Sequence, residues 1–414
     1  MKKTYIDTAM ERIAPDLILK GGNVVDVFSG RVIKADVIIK DGIICGVGSY
    51  SGENEQDVSG KYIMPGFIDS HVHIESSMTQ PSEYAKAVMP HGITTVIADP
   101  HEITNVCGED GLEFMLKSAK NIPLDVNLML PSCVPATPFE HTGANLDAKT
   151  TQKLAPKFFG IGEMMNYPGI VSGDDETLGK LCLDIIDGHA PLLSGHELDA
   201  YASAGIKTDH ECSVVEEMTE KISKGMYILL REGTLSLDVA KLIKGVTPYT
   251  LRRCAFCTDD RFVGEIIRDG SIDHCIRKAV SLGLNNIDAI IMATLNACEM
   301  YGMKNKGAIA PSYVADIVVA DDLNLSSISQ VYKNGKLVCE NGKALFECET
   351  VDNSKVTNTV HLPKISADFF KTDVKDKFDA IELIPESIIT KKVTVSYSDS
   401  LSKVCVIERH HNLG

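Results

Sequence analysis

Two histidines stand one residue apart in "PGFIDSHVHIESS", at His71 and His73. Further along, "GIGEMM" holds Glu163, "DGHAP" His189, "TDHEC" His210 and "CTDD" Asp259. Imidazole and carboxylate together suit zinc, iron or manganese and do not choose among them. One open catalytic zinc takes three protein ligands and a water, so four imidazoles and two carboxylates exceed its need. Six ligands suit two ions about 3.5–4 Å apart, bridged by a carboxylate. Each residue alone has a plainer reading as a hydrogen-bonded core or surface group. Their shared position at strand ends makes them a candidate site.

Those positions are set by eight apolar segments, each read as a strand: "GFIDSHVH", "TTVIADPHE", "DVNLMLPSC", "KFFGIGEMM", "DIIDGHAP", "GIKTDHE", "GMYILLREG" and "RCAFCTDD". Helical spacing lies between them, as in "SEYAKAVMPHG" and "SVVEEMTEKISKG", the latter opened by a Ser213–Glu216 capping box. Alternating strands and helices predict an α/β fold, a (β/α)8 TIM barrel whose strand ends share one face. Glu163, on the fourth strand between the other ligands, is the natural bridge. His71 and His73, two apart on a strand, point to the same side. A doubly wound sheet competes, but no glycine-rich phosphate loop follows the first strand.

Short strands with Gly and Asn-Gly turns precede and follow this middle, at "DLILKGGNVVDV" and "ISQVYKNGKLVCENGK". They predict a small β-sandwich domain built from both flanks. The expected organisation is 1–64 and 306–350 for that domain, 65–305 for the barrel, and 351–414 for a separate C-terminal region.

The 414 residues carry a net charge of -16, which repels phosphate backbones and argues against a nucleic-acid polymer as partner. No run approaches the roughly 18 apolar residues of a membrane span. The twelve cysteines, without a signal sequence, read as reduced thiols in a cytoplasmic protein. Cys254 and Cys257 form a C-x-x-C that lacks a second pair and reads as buried strand.

"PGFIDSHVHIESS", "GITTVIADPHEITNV", "MLPSCVPATPFE", "GIGEMMNYPG", "IDGHAP", "DHEC", "REGT", "CTDDR" and "GAIAPSYVADIVVADDL" resemble the adenine deaminases of the amidohydrolase superfamily. The resemblance runs from about residue 16 to 350. It implies a binuclear centre of manganese or iron, with zinc an alternative, on His71, His73, Glu163, His189, His210 and Asp259. It also implies hydrolysis of adenine to hypoxanthine and ammonia, by hydroxide on the metals attacking C6. Asp259 is then the proton shuttle, and His210 helps polarise the ring. Because chains of that family run further, residues 351–414 read as the start of a truncated C-terminal region.

In "DPHE", Pro100 favours an extended Asp99. Asp99, His101 and Glu102 are the candidates for substrate contact. Glu75, Ser77 and Asp260 are candidate supports for the ligands. His91, His141, His196 and His274 read as surface groups. The proline-rich "PSCVPATPFE" reads as a loop over the barrel mouth. The expected partners are adenine and water, with no membrane and with self-association left open. The competing readings are an amidohydrolase acting on a cyclic amide or N-acetyl group, and an inactive shortened subunit.

Overall fold

A computed structural model describes residues 2–371, 376–385, 389–398 and 400–413. Each of the eight apolar segments contains a strand: β1 (Phe67–Val72), β2 (Ile93–Ala98), β3 (Asp125–Leu130), β4 (Gly160–Met164), β5 (Ile186–Gly188), β6 (Thr208–Asp209), β7 (Tyr227–Arg231) and β8 (Cys254–Cys257). Strands β1 to β5 pair in chain order as one sheet, and β6 to β8 as another. All of these pairings are parallel. The two sheets meet where Val72 bridges Asp259, with Asp259 N–H donating to His71 O at 3.0 Å. At the other junction Lys207 N–H donates to Ile186 O at 3.3 Å.

Parallel strands covered by helices are buried on both faces, which explains the continuous apolar runs. Strands β1, β2, β4 and β8 are buried along their whole lengths. Phe67, Val96, Ile228 and Phe256 share a core cluster with Tyr84, Ile272 and Ile276 of the helices Pro81–Val88 and Ile272–Ser281. Burying one such side chain contributes about 1.5–3 kcal/mol. Cys254 and Cys257 sit at the two ends of buried β8, and all twelve cysteines are unpaired.

One local expectation fails. The helix assigned a Ser213–Glu216 capping box begins at Val215, with Val214 before it and no side-chain cap. Glu217 takes the Ser213 N–H instead, at 3.4 Å. It is drawn inward by Lys221, whose Nζ lies 2.7 Å from Glu217 and 2.9 Å from Asp209 at the end of β6. A buried charge network overrides the local capping preference.

The flanking segments form one nine-stranded sheet, joined where Tyr62–Pro65 pairs antiparallel with Ile317–Ala320. Both Asn-Gly pairs make tight turns there: Asn334, Gly335, Asn341 and Gly342 all have positive φ, as a two-residue hairpin loop demands. Beyond it, among the described residues, Lys377–Leu383 and Thr390–Ser396 pair as a separate two-stranded antiparallel sheet. Among the described residues no helix is long and apolar enough to cross a membrane.

Candidate functional site

All six candidate ligands meet at the C-terminal ends of the parallel strands. His71 ends its imidazole 3.1 Å from that of His73, Nε2 to Nε2, and stacks on His210 with ring centroids 4.1 Å apart. Glu163 lies between two groups and gives one carboxylate oxygen to each. Its Oε1 is 3.5 Å from His73 Nε2. Its Oε2 is 2.6 Å from His189 Nδ1 and 3.1 Å from His210 Nε2. Asp259 Oδ1 faces His73 Nε2 at 3.1 Å and His71 Nε2 at 3.7 Å. His189 is half-buried, and the other five ligands are buried.

The donor atoms fit metal ions. Within each of the triads His71–His73–Glu163, His71–His210–Asp259 and Glu163–His189–His210, one ligand atom per residue lies within 4.8 Å of the others. So many converging nitrogens and carboxylate oxygens, buried together, are consistent with a metal centre. The histidines and carboxylates also shift one another's charge. Burial opposes ionisation of Glu163, but His189 and His210 outweigh it and hold the carboxyl well below its usual range. Burial likewise opposes charge on His73, and Glu102, Asp259 and Glu163 override it. His71 goes the other way, lowered by burial and by His210 and His73.

The "DPHE" segment is not an extended strand edge. Strand β2 stops at Ala98, and Pro100 precedes a helix, His101–Ser118, so His101 and Glu102 occupy its first turn. His101 Nδ1 is 3.4 Å from Glu163 Oε1, and Glu102 Oε1 is 3.4 Å from His73 Nδ1. Burial opposes charge on His101, but Glu102 and Asp99 raise it to about 10. Asp99 is 1 % exposed and accepts the Glu163 N–H at 2.9 Å through Oδ2. Its carbonyl oxygen lies 2.9 Å from His73 Nδ1. With Nδ1–H donated there and the ring neutral, as a metal ligand must be, Nε2 of His73 would turn its lone pair to the site.

The supports resolve individually. Glu75 Oε1 accepts the Ile103 N–H at 3.3 Å, so it steadies the helix turn that carries His101 and Glu102. Ser77 Oγ donates to Ile74 O at 2.6 Å and serves its own turn. Asp260 is exposed and accepts from Ser76. His91 is half-buried and lies 3.1 Å from Asp273, a pairing that spacing could not show.

Two residues were missed from the sequence. Arg231 ends β7 and places Nη1 2.8 Å from Asp259 Oδ2 and beside Glu211 Oε1. Glu211 lies 3.4 Å from His210 Nε2. The strand-end rule applied to "YILLR" would have found Arg231, had cations been sought as well as ligands. Asp259 also adopts a φ of 56°, unusual for a residue other than glycine, where β8 breaks off.

A cavity of about 770 Å³ opens beside His101 and Glu102. Its walls include Phe139 and Glu140 of the proline-rich loop and Met165 after β4. The loop reaches it because Thr142 Oγ1 and Gly143 N–H both donate to Asn105 O at 2.8 Å. His141, read as a surface group, lies on the same rim.

Residues 62–338 match the Amidohydrolase family. "Adenine deaminase 2" of Desulfotalea psychrophila is 45% identical over 432 aligned positions, spanning 100% of this chain and 75% of that protein. "Adenine deaminase" of Clostridium acetobutylicum is 47% identical over 429, spanning 99% and 75%. Among solved structures, enamidase superposes with a TM-score of 0.60 at 18% identity, covering 80% of this chain and 97% of its own. A D-aminoacylase studied for its binuclear metal centre gives 0.56 at 14%, covering 80% and 98%. With the strand-end histidines and carboxylates gathered in one buried cluster, and relatives at this identity along its whole length, the chain belongs to the amidohydrolase family, among its adenine deaminases.

Proposed function

We propose that this chain hydrolyses adenine to hypoxanthine and ammonia at a binuclear centre of two divalent ions. His71, His73 and Asp259 would hold one ion and His189 and His210 the other, with Glu163 facing both groups. The observation that carries the reading is the division of the Glu163 oxygens between two histidine groups. The relatives named adenine deaminase supply the substrate. Manganese or iron, which the resemblance to the adenine deaminases implies, is our choice, with zinc the alternative. We further read the two arcs of parallel strands as one (β/α)8 barrel, and the nine-stranded sheet as the flanking β-sandwich. The twelve free cysteines support our reading of the chain as a cytoplasmic enzyme.

Divalent ions held by this set, when bound, lower the pKa of water to about 7 and so supply a nucleophile at neutral pH. The chain's own residues do the rest. Asp259 accepts the water proton at Oδ1, the oxygen turned into the site, while Arg231 holds Oδ2. As the C6–O bond forms, Asp259 passes that proton to N1; it then takes the proton of the new C6 hydroxyl and delivers it to the amine as the C6–N6 bond breaks, leaving the C6 carbonyl and ammonia. His210 polarises the ring. His101, held charged by Glu102 and Asp99, donates to a ring nitrogen. Glu102, facing the cavity, accepts from a ring N–H. Asp99 acts through Glu163 and His73, whose positions it holds, rather than on substrate.

Ammonia release from adenine by the metal-loaded chain tests this reading, run beside a panel of cyclic amides and N-acetyl compounds. Cleavage of an amide without adenine turnover would replace it with the second hydrolase reading. Failure on every substrate at full metal loading would favour an inactive subunit.

A further inference from the structure

The cavity beside His101 and Glu102 has a wall that comes from the C-terminal part of the sequence. Val406, Ile407, Glu408, Arg409 and His410 line it together with the helix turn and the proline-rich loop. A local turn folds this strap, and it meets other segments at two points. Glu408 is buried, and its carboxylate accepts from the N–H groups of His410 at 2.7 Å, His411 at 2.8 Å and Leu413 at 3.0 Å. Arg409 O accepts the His361 N–H at 2.7 Å. His410 rests against Gly143, where an added Cβ would stand 2.9 Å from its Nδ1 and 2.4 Å from Val106 O. The absence of a side chain at Gly143 lets strap, loop and helix meet.

The chemistry of the enclosure suits a planar heteroaromatic base. Phe139, Met165 and Ile407 offer apolar surface, while Glu102, His101 and Arg409 offer a few edge-directed polar groups. Phe139 is 88 % exposed, an aromatic ring left on the rim with little to cover it.

We propose that the strap Val406–His410 is the outer wall of the substrate pocket and contributes to binding the base. This rests on the reading of the centre as an adenine-hydrolysing site. It assigns a binding role to a segment that supplies none of the candidate ligands.

The test uses the full chain with two variants, Ile407→Asp, which puts a charge on the wall, and Glu408→Ala, which frees the turn. Metal content, kcat and KM for adenine are measured, with hypoxanthine affinity by calorimetry. The expected result is metal content and kcat near those of the parent, with KM and the hypoxanthine Kd each raised about tenfold, the scale of one lost apolar contact in a pocket. Unchanged KM and Kd in both variants, with a parent that turns over adenine, overturn the strap's role. A loss of kcat and metal without a rise in Kd overturns it too, since the strap would then support the centre rather than hold the base. A parent that releases no ammonia from adenine overturns the functional reading instead, and the strap's assigned ligand falls with it.

Discussion

Arg231 Nη1 sits 2.8 Å from Asp259 Oδ2, while the other oxygen of the same carboxylate faces His73 Nε2 at 3.1 Å. Both side chains are buried, Arg231 to 3 % and Asp259 to 7 % exposure. The guanidinium therefore fixes which oxygen of Asp259 is turned into the site. It helps His73 and His210 keep that carboxyl well below its usual range, against burial, which works the other way. A group that must take and return a proton is thus held ionised until the proton arrives.

Arg231→Lys keeps a charge but loses the planar fork that reaches Asp259, Glu211 and Asp238 together. The expected outcome is a fall in kcat of about tenfold or more with a smaller change in KM. Arg231→Met leaves buried carboxylates unpaired and should cost about 3–5 kcal/mol of stability. Steady-state kinetics and urea unfolding of the two variants check this. A Lys variant with parental kcat would show that a positive charge suffices there and that the planar fork is dispensable.

Asp259→Asn should lower kcat by about 10²–10⁴-fold, the range of a lost general acid or base. His71→Ala should lower metal content as well as rate. The discriminating measurement is metal per chain beside ammonia release. Parental activity in Asp259→Asn would remove Asp259 from the proton path.

Chelation should abolish activity, and added manganese or iron should restore it, with about two ions per chain at full occupancy. Glu163→Gln should weaken binding at both positions, because both histidine groups face that carboxylate. Metal titration followed by elemental analysis reads this directly. Retention of one tight ion in Glu163→Gln would place the residue in a single ligand group.

Lys221 and Asp209 make a buried pair, with Nζ 2.9 Å from Oδ2. Burial opposes ionisation of Asp209, but Lys221 and His210 lower it to about 2. Its folded value lies below the unfolded one of about 3.9. The stabilisation is therefore present above that pH and lost as pH falls towards about 2. Lys221→Met should cost about 3–5 kcal/mol near neutrality. The gap between parent and variant should narrow as pH drops below about 4. Urea unfolding across that range checks the sign, and a gap that widens in acid would contradict it.

The sequence by itself determined the strand ends. Apolar runs ending in His71 and His73, Glu163, His189, His210 and Asp259 are local patterns, and parallel strands bring like ends to one side. That was enough to name six candidate ligands from the residues of one chain. The tertiary structure decided everything that depends on residues far apart in sequence. It split the two oxygens of Glu163 between separate histidine groups and set Arg231 against Asp259. It turned the "DPHE" segment into a helix start, so that Asp99 faces inward to Glu163 while His101 and Glu102 face the cavity. It also laid residues 406–410 along the cavity wall. A strand's periodicity is written in its own residues, whereas the partner of a buried charge is chosen by packing and by the cost of leaving that charge unpaired.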